Sequence, residues 1–459
     1  MFNILSFLKH PFLVDFSIEK NYFLLLFIHV IFGCAIYFLP GLGYIYGTSI
    51  LVVGLFYIIL TKNKNNEILQ VAAYTIGSEV LLRMTDGVLS FEFAKYSLIL
   101  FALLGSFYSG FSKKSILYLV YILLLIPSII LENDLLRMTR SSYNQIVFNL
   151  LGPITLGIIS IYTFNKKIPF TQLNGILLSI GFPILICSIY VFLYSPEISI
   201  ITSVESNSSF SGGFGPNQVA TALGIGMFVF FFRFLLLSKT RIHFVINLLI
   251  FSFISYVGLL TFSRGGIITG FVACIALLLF VYINSKDYGK RKAKYGFIYL
   301  ITVFIAILSL INFQTNGLIE KRYSNKDHLG RLKRDKSMDR KELAKEEINL
   351  FVKNPIVGVG VGNGNQIREI KLGSRVNSHD ELTRLLAEHG LFGFLCILIL
   401  VLTPVFLFIK SKENIFLGVF FLIWFLTINH SGLRIAAPAF IYSLMLLKIS
   451  IKEEYFFVK

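Results

Sequence analysis

The sequence Ser378-His379-Asp380-Glu381 has residue types and spacing that suit proton transfer. Ser378 and Glu381 form the capping-box pattern that starts a helix, which places His379 in the first helical turn. The partial positive charge of a helix N-terminus disfavours imidazolium, so we predict that His379 is largely neutral near pH 7 and can accept a proton. The same helix end can instead attract a phosphate oxygen, and a surface histidine in a helix cap is a third interpretation.

A second candidate for chemistry is the arginine of Ser263-Arg264-Gly265-Gly266, which stands between two apolar segments. Flanking glycines allow this guanidinium to reach a ligand over the bilayer surface, although it can also act as an anchor that extends to lipid headgroups. Another glycine-containing sequence, Gly212 to Asn217, directly precedes a neighbouring apolar segment. Asn217 itself suits either a ligand contact or a helix cap.

The long polar segment that carries His379 also contains another predicted helix. This helix starts with the capping-box pattern Asp339-Arg340-Lys341-Glu342 and stops at Asn354-Pro355. Gly358, Gly360, Gly362 and Gly364 follow at intervals of two, which permits tight turns and close approach of the backbone to a ligand or helix.

The elements that must position these residues are predicted to be membrane helices. Of the 459 residues 55% are hydrophobic and only 15% charged, and the mean hydropathy is +0.75, a balance that a soluble domain of this size does not keep. Apolar stretches long enough to cross a bilayer recur along the whole chain, so we predict an all-α polytopic membrane protein with about fourteen transmembrane helices. Their predicted starts lie near Tyr22, Ile45, Ile68, Tyr96, Ser115, Asn144, Leu173, Asn217, Phe244, Gly266, Gly296, Gly390, Ile415 and Arg434.

The distribution of lysine and arginine predicts the orientation. With the N-terminus inside, alternate short loops carry basic clusters, among them Lys113 with Lys114, Lys166 with Lys167 and the run from Lys286 to Lys294. This bias explains most of the formal charge of +17 and argues against a nucleic-acid partner, because the basic residues form no single stripe. The four cysteines lie within apolar stretches at no metal-ligand spacing.

These patterns divide the chain into three parts. Residues 1–313 are predicted to form the first eleven membrane helices, 314–389 a long external loop with short helices, and 390–459 the last three membrane helices and a cytoplasmic tail. A connecting loop of that length is uncommon, so we expect it to be functional. Its many basic residues suit an anionic partner such as a phosphate.

Two further groups of charges lie in other predicted external loops, and ionisable groups near lipid are candidates for function. One includes Arg83 and the other Arg137. They suit the lining of a sugar-binding cavity, and ion pairs between loops explain them equally well.

Several of these motifs, in this order, resemble those of the O-antigen polymerase and ligase superfamily. They are Gly-Phe-Gly-Pro-Asn at 213–217, Ser-Arg-Gly at 263–265, an arginine fourteen positions before Asn-Pro-x-x-Gly-x-Gly, and Ser-His-Asp-Glu-Leu followed by Glu-His-Gly-Leu-Phe-Gly. The resemblance covers roughly residues 205 to 430. The N-terminal half is similar only in hydropathy.

The resemblance implies a GT-C-like glycosyltransferase of the bacterial inner membrane whose active site faces the periplasm. It implies a donor and an acceptor linked to undecaprenyl diphosphate, no metal and no other cofactor, with a chain-length regulator protein as a further expected partner. Carried over by position, Arg264 and Arg340 hold the donor diphosphate and His379 acts on the acceptor hydroxyl. Asp380, Asn217, Arg83 and Arg137 are the predicted substrate-binding residues. The sequence departs from the family pattern at Ala344, where an aromatic residue is usual, and at Asp380, where asparagine is usual.

The sequence is compatible with four functions. A polymerase that joins lipid-linked repeat units into O-antigen or capsular polysaccharide is preferred, because polymerases are the more divergent group. A ligase that moves finished glycan to lipid A-core is the nearest alternative, followed by transfer to protein. A transporter of the same lipid-linked sugar is disfavoured, because no internal repeat is visible and the charges lie at helix ends.

Overall fold

The structure is a computed structural model, and it describes residues 20–130, 140–198, 203–332, 340–372, 378, 380–410 and 416–450. Helices account for most of this part of the chain. The helices that precede residue 200 are α1 (Tyr22–Phe38), α2 (Leu42–Thr61), α3 (Glu67–Met84), α4 (Phe93–Ser109), α5 (Ile116–Leu124), α6 (Pro127–Ile130), α7 (Arg140–Thr163) and α8 (Phe170–Tyr194).

The later part continues the helical pattern and adds short helices between two long ones. The elements are α9 (Pro216–Leu236), α10 (Arg241–Leu260), α11 (Arg264–Asn284), α12 (Asp287–Gln314), α13 (Leu318–Tyr323), α14 (Arg340–Lys353), α15 (Asn363–Leu372), α16 (Glu381–Lys410), α17 (Leu417–Ile428) and α18 (Ala437–Leu444). Two short strands, β1 (Lys167–Pro169) and β2 (Lys448–Ser450), pair in parallel and join the middle of the chain to its end.

The structure agrees with a polytopic, all-helical membrane protein. Within the described residues, eight helices are long and apolar enough to span a membrane, and three more, α1, α4 and α17, are apolar but shorter. The remaining predicted spans are helices too, but α5 has nine residues and α18 eight, and at about 1.5 Å per residue neither crosses a hydrocarbon core alone. The total of fourteen spans and the GT-C relationship therefore stay predictions.

Helices α8 and α9 form the centre of the bundle. Of their apolar windows, 83% and 94% are buried, against 33% for α2 and 22% for α12. The exposed side chains of the outer helices are large and apolar, for example Phe56 and Phe313. Such a surface is stable where lipid is the solvent, which agrees with the sequence prediction.

The crossing of α9 and α11 depends on small residues. A Cβ on Gly224 would lie 2.1 Å from the carbonyl oxygen of Gly266, and a Cβ on Gly266 would lie 2.2 Å from the backbone of Ala220. Backbones that approach this closely are typical of membrane helices packed through glycine. Because both helices begin at the same end of the bundle, this crossing brings Asn217 and Arg264 together.

We predict that Gly266→Ala destabilises the protein, because the added methyl group meets backbone atoms that cannot rotate away. Overpacking of this kind costs about 1 to 3 kcal/mol. Gly418→Ala is the matched control, since a Cβ at this helical glycine meets nothing within 4 Å. Thermal unfolding of the two purified variants measures the effect, and equal midpoints would show that the α9 and α11 contact is looser than described.

Candidate functional site

The candidate site lies at the end of the bundle where α9 and α11 begin, which we call the loop end because the described residues between 315 and 380 lie there. Pro216 is the first residue of α9, where its missing N–H costs nothing, and Asn217 follows it. The Ser263 hydroxyl, one residue before α11, donates a hydrogen bond of 2.8 Å to the Asn217 side-chain oxygen. Asn217 thus fixes the start of the helix that carries Arg264.

Arg264 is half-buried and has few partners. Its guanidinium donates one hydrogen bond of 3.3 Å, to the backbone carbonyl of Arg322, and Arg322 in turn donates from Nε to the carbonyl of Phe262 at 2.9 Å. Among the described residues, no carboxylate pairs with Arg264. Since a guanidinium has five N–H donors, most of those of Arg264 have no acceptor within the part of the chain that the structure describes and can bind a ligand.

Tyr323 lies beside this pair of arginines at the end of α13. Burial raises the pKa of its phenol to about 12, and the positive charges of Arg264 and Arg322 oppose that shift. The phenol is therefore protonated at neutral pH and can donate a hydrogen bond to an anion held by Arg264.

Arg83, at the end of α3, differs from Arg264 because neighbouring carboxylates neutralise its positive charge. Its guanidinium lies 2.6 Å from the Glu79 carboxylate and 3.5 Å from that of Glu92, and Glu92 also pairs with the buried Lys95 at 2.7 Å. Arg83 further contacts the side chain of Gln218 at 3.4 Å, so this cluster touches the start of α9. The described ion pairs of this cluster all form within residues 79–95, so the ion pairs between loops and the role in sugar binding both stay predictions.

Arg434 connects the Arg83 cluster to the region of the predicted catalytic motif. Its carbonyl accepts from Arg83 at 3.3 Å, and its own guanidinium donates to the carbonyl of Ser378 at 2.7 Å. The sequence marks Arg434 only as the start of the last apolar segment. Its partners Arg83 and Ser378 lie 351 and 56 positions away along the chain, so no local pattern identifies them.

Asp380 is the N-cap of α16. Its Oδ1 accepts hydrogen bonds from the backbone amides of Leu382 at 2.8 Å and Thr383 at 3.3 Å. The predicted capping box, with Ser378 as cap and Glu381 as its partner, is therefore wrong by two residues. Burial raises the pKa of Asp380, and the two amide hydrogen bonds oppose that shift.

A second buried ion cluster follows Asp380 on α16. Arg384 pairs with Glu381 and with Glu388, the latter at 2.6 Å, and donates to the carbonyl of Asn149 at 3.1 Å. The spacing of the three α16 residues, three and four apart, is the sequence signal that identifies them as one helical face. The Asn149 contact ties this face to α7.

Glu347 of α14 extends this polar region into the loop. It pairs with Arg368 of α15 at 3.0 Å and accepts hydrogen bonds from Thr383 at 2.6 Å and Ser378 at 3.2 Å. Burial raises the pKa of the Glu347 carboxyl, and these donors oppose the shift. One carboxylate thus holds both loop helices against the start of α16.

The glycine-rich segment that begins at Gly358 packs against a kink in α16. Gly390 has φ +60° and ψ −133° inside this helix, and a Cβ there would lie 2.6 Å from the backbone nitrogen of Gly358. Gly358 itself has φ +76°, and the amide of Val359 donates to the carbonyl of Ala387 at 2.9 Å. The close backbone approach predicted for these glycines is confirmed, with a helix as the partner.

A small cleft of about 30 Å³ opens between these clusters, enough for one or two waters. Its lining is partly polar and partly apolar and is drawn from four separate parts of the chain: Phe148, Asn149, Asn365, Ser378, Glu381, Arg384, Gly432, Leu433 and Arg434. Ser378, which directly precedes the predicted histidine in the sequence, is part of this lining. The cleft is a place where a polar group of a substrate can enter.

The predicted site residues divide into three groups. Arg264, Asn217, Arg83 and Asp380 are all brought to the loop end through the contacts described above. Arg340 is the first residue of α14, but its side chain lies outside the described part of the structure, and His379 and Arg137 lie outside the described residues.

Two further histidines, His389 and His430, are buried near this site. His389 forms a hydrogen bond of 2.5 Å between Nδ1 and the Ser128 hydroxyl. His430 contacts the hydroxyl of Thr221 at 3.2 Å. Its ring packs directly against Gly265, so a Cβ at that position would collide with it. Both therefore support the helices that carry Arg264 and Glu388.

The fold and the site together define a polytopic membrane protein with an arginine-containing polar site at one end of its helices. Residues 248–398 match the family model described as O-antigen ligase, which confirms the resemblance to the O-antigen polymerase and ligase superfamily. The match covers about a third of the chain and includes Arg264, Arg340 and His379. The family comprises glycosyltransferase-like enzymes. A comparison with curated proteins finds no match.

Two substitutions of Asp380 separate its role as a cap from a role of its negative charge in the reaction. Asparagine caps helices as well as aspartate, whereas loss of the cap in Asp380→Ala costs about 1 kcal/mol. We expect Asp380→Asn to keep glycan synthesis within about two-fold of the wild type and Asp380→Ala to lower it, with thermal stability falling only in the alanine variant. Loss of synthesis in a stable Asp380→Asn protein would show instead that the charge is needed.

Proposed function

We propose that this protein polymerises O-antigen or capsular repeat units that are linked to undecaprenyl diphosphate. The observation that carries this proposal is Arg264, a half-buried guanidinium at the N-terminus of α11 without a carboxylate partner among the described residues. An uncompensated positive charge beside a helix N-terminus suits a phosphate or diphosphate. The family match at residues 248–398 supports the same class of substrate.

The other arginines at the loop end support this choice by contrast. Arg83 pairs with Glu79, and Arg384 lies between Glu381 and Glu388. These carboxylates neutralise both guanidinium groups, so neither arginine offers a net positive charge that would attract an anionic ligand. Among these arginines, Arg264 therefore has the strongest attraction for an anion. Arg340 starts α14 in the same loop region and is proposed as its partner on the diphosphate.

The proposed reaction is a displacement at the anomeric carbon of the donor sugar. The acceptor hydroxyl forms the new glycosidic bond, the bond between that carbon and the diphosphate oxygen breaks, and the hydroxyl proton passes to His379. Arg264 and Arg340 stabilise the negative charge that develops on the departing diphosphate, the task that a divalent ion performs in other enzymes. Tyr323 adds a hydrogen-bond donor beside Arg264.

The proposed location of the reaction is the outer face of the inner membrane. Lys166 and the basic run that includes Lys290 lie at the end of the bundle opposite Arg264, since α8 and α12 begin there and α9 and α11 begin at the loop end. By the positive-inside rule the basic end faces the cytoplasm. The loop end then faces the periplasm, where the lipid-linked repeat units are used.

A ligase that transfers finished glycan to lipid A-core is the second candidate. The description of the matched family, O-antigen ligase, favours it. The same donor, the same diphosphate site and the same proton acceptor serve either reaction, so the acceptor alone distinguishes the two functions.

Arg264→Ala is predicted to lower glycan chain extension by about 100-fold or more, because it removes a donor that acts on the departing diphosphate. Arg264→Lys keeps the charge but loses the planar fork, so an intermediate rate is expected. Arg331→Ala is the matched control, since Arg331 lies in the same loop region with an exposed side chain paired to Asp327. Normal polymer from an inserted Arg264→Ala protein would remove the diphosphate assignment.

Gel analysis of lipopolysaccharide and capsule from a deletion strain distinguishes polymerase from ligase. For a polymerase, we expect core bands that carry a single repeat unit, restored to a ladder by the intact gene. Polymer that accumulates on the lipid carrier beside bare core would establish the ligase, and an unchanged ladder would contradict both functions.

A further inference from the structure

A separate cavity lies at the basic end of the bundle, where α9 ends and α10 and α12 begin. Its volume is about 420 Å³, which is within the range of small-molecule sites. The 21 residues of α9 place it about 30 Å from Arg264. It is therefore distinct from the proposed catalytic site.

One wall of this cavity is aromatic. The ring centroids of Phe234 and Phe244 are 4.6 Å apart, and Tyr299 lies 5.3 Å from Phe244 and 5.7 Å from Phe234. Gly296 lets α12 approach α9 at this level, since a Cβ there would lie 2.8 Å from the Leu235 side chain. This wall offers apolar surface and few hydrogen-bond partners, which suits an alkyl chain.

The other side of the cavity is basic. Arg291 and Lys292 line it, within a stretch from 285 to 294 that contains five basic residues and one acidic residue, Asp287. Within the part of the chain that the structure describes, neither Arg291 nor Lys292 forms an ion pair with a carboxylate, including that of Asp287. Two uncompensated charges over an apolar wall favour an amphiphilic anion over a purely polar one.

The position of the cavity indicates where such a ligand comes from. The helix that carries Arg291 is largely exposed to the lipid phase, with only 22% of its apolar window buried. Tyr288 and Tyr295, which also line the cavity, are 53% and 62% exposed, as is common for tyrosines at the level of lipid headgroups. The cavity thus opens sideways into the membrane interface.

We propose that this cavity binds an anionic phospholipid from the surrounding bilayer. Its phosphate pairs with Arg291 and Lys292, and the start of an acyl chain lies against Phe234, Phe244 and Tyr299. Basic pockets between membrane helices on the positively charged side bind acidic lipids by the same chemistry. The bound lipid ties α12 to α9 and α10 and so stabilises the bundle at the end away from the catalytic loop.

The test measures thermal stability of the purified full-length protein in an uncharged detergent, with phosphatidylglycerol, phosphatidylcholine or inorganic phosphate added separately. We expect phosphatidylglycerol to stabilise the wild type, and we expect phosphatidylcholine and inorganic phosphate to have little effect. Each basic residue contributes about five-fold to affinity for an anionic lipid, so Arg291→Ala with Lys292→Ala should weaken the effect about 25-fold. Lys113→Ala with Lys114→Ala is the matched control, because these exposed lysines lie at the same end outside the cavity and should leave the effect unchanged.

Three outcomes would overturn the proposal. Equal stabilisation of the wild type and the Arg291 and Lys292 variant by phosphatidylglycerol would show that the lipid binds elsewhere. Equal stabilisation by phosphatidylcholine would show that net charge is not recognised, and equal stabilisation by inorganic phosphate would assign the site to a soluble anion. If the double variant does not accumulate, Arg291→Gln alone answers the question, since this exposed side chain should cost about five-fold in lipid affinity without affecting folding.

Discussion

A charge that is removed from water needs a compensating charge or several hydrogen bonds, and this constraint organises the loop end of the protein. Glu79, Arg83, Glu92 and Lys95 form one buried chain of ion pairs, and Arg384 with its two glutamates forms another. Two of these carboxylates also accept from distant parts of the chain, Glu79 from the amide of Ala436 at 2.7 Å and Glu381 from the amide of Leu433 at 3.4 Å. The charges therefore fix the relative positions of helices that apolar contacts alone would let slide. Arg264 differs from these arginines because no carboxylate within the described residues pairs with it.

Close backbone packing adds the precision that ion pairs lack. The glycine crossing of α9 and α11 sets where Asn217 and Ser263 meet, and the kink at Gly390 lets the glycine-rich loop bind to α16. Both contacts use residues without a side chain, so their geometry has little freedom. The rigid helices thus carry Arg264 and Asp380, while the residues between α12 and α16 add the parts of the site that come from the loop.

Local patterns in the sequence predict the helices and part of the site. Hydropathy predicts the apolar helices, although it overestimates the length of α5 and α18, because a run of apolar residues does not reveal where a turn ends the helix. Arg264 is recognisable from its flanking glycines and its position between two apolar segments. The contact between Arg83 and Arg434 cannot be recognised in this way, since these two residues are 351 positions apart and only the packed bundle brings them together. The cap of α16 is misassigned because Ser378 and Asp380 both suit a helix start, and only the structure shows that the Asp380 carboxylate reaches the amides.

The most direct test of the central claim is a cryo-electron microscopy structure of the protein in lipid nanodiscs with an undecaprenyl-diphosphate-linked oligosaccharide bound. The diphosphate is expected within hydrogen-bond distance of the Arg264 guanidinium at the start of α11, with the sugar directed toward Ser378 and the cleft beside Arg384. A diphosphate bound away from Arg264, for example between other helices with Arg264 still facing Arg322, would contradict the proposed site and the reaction built on it.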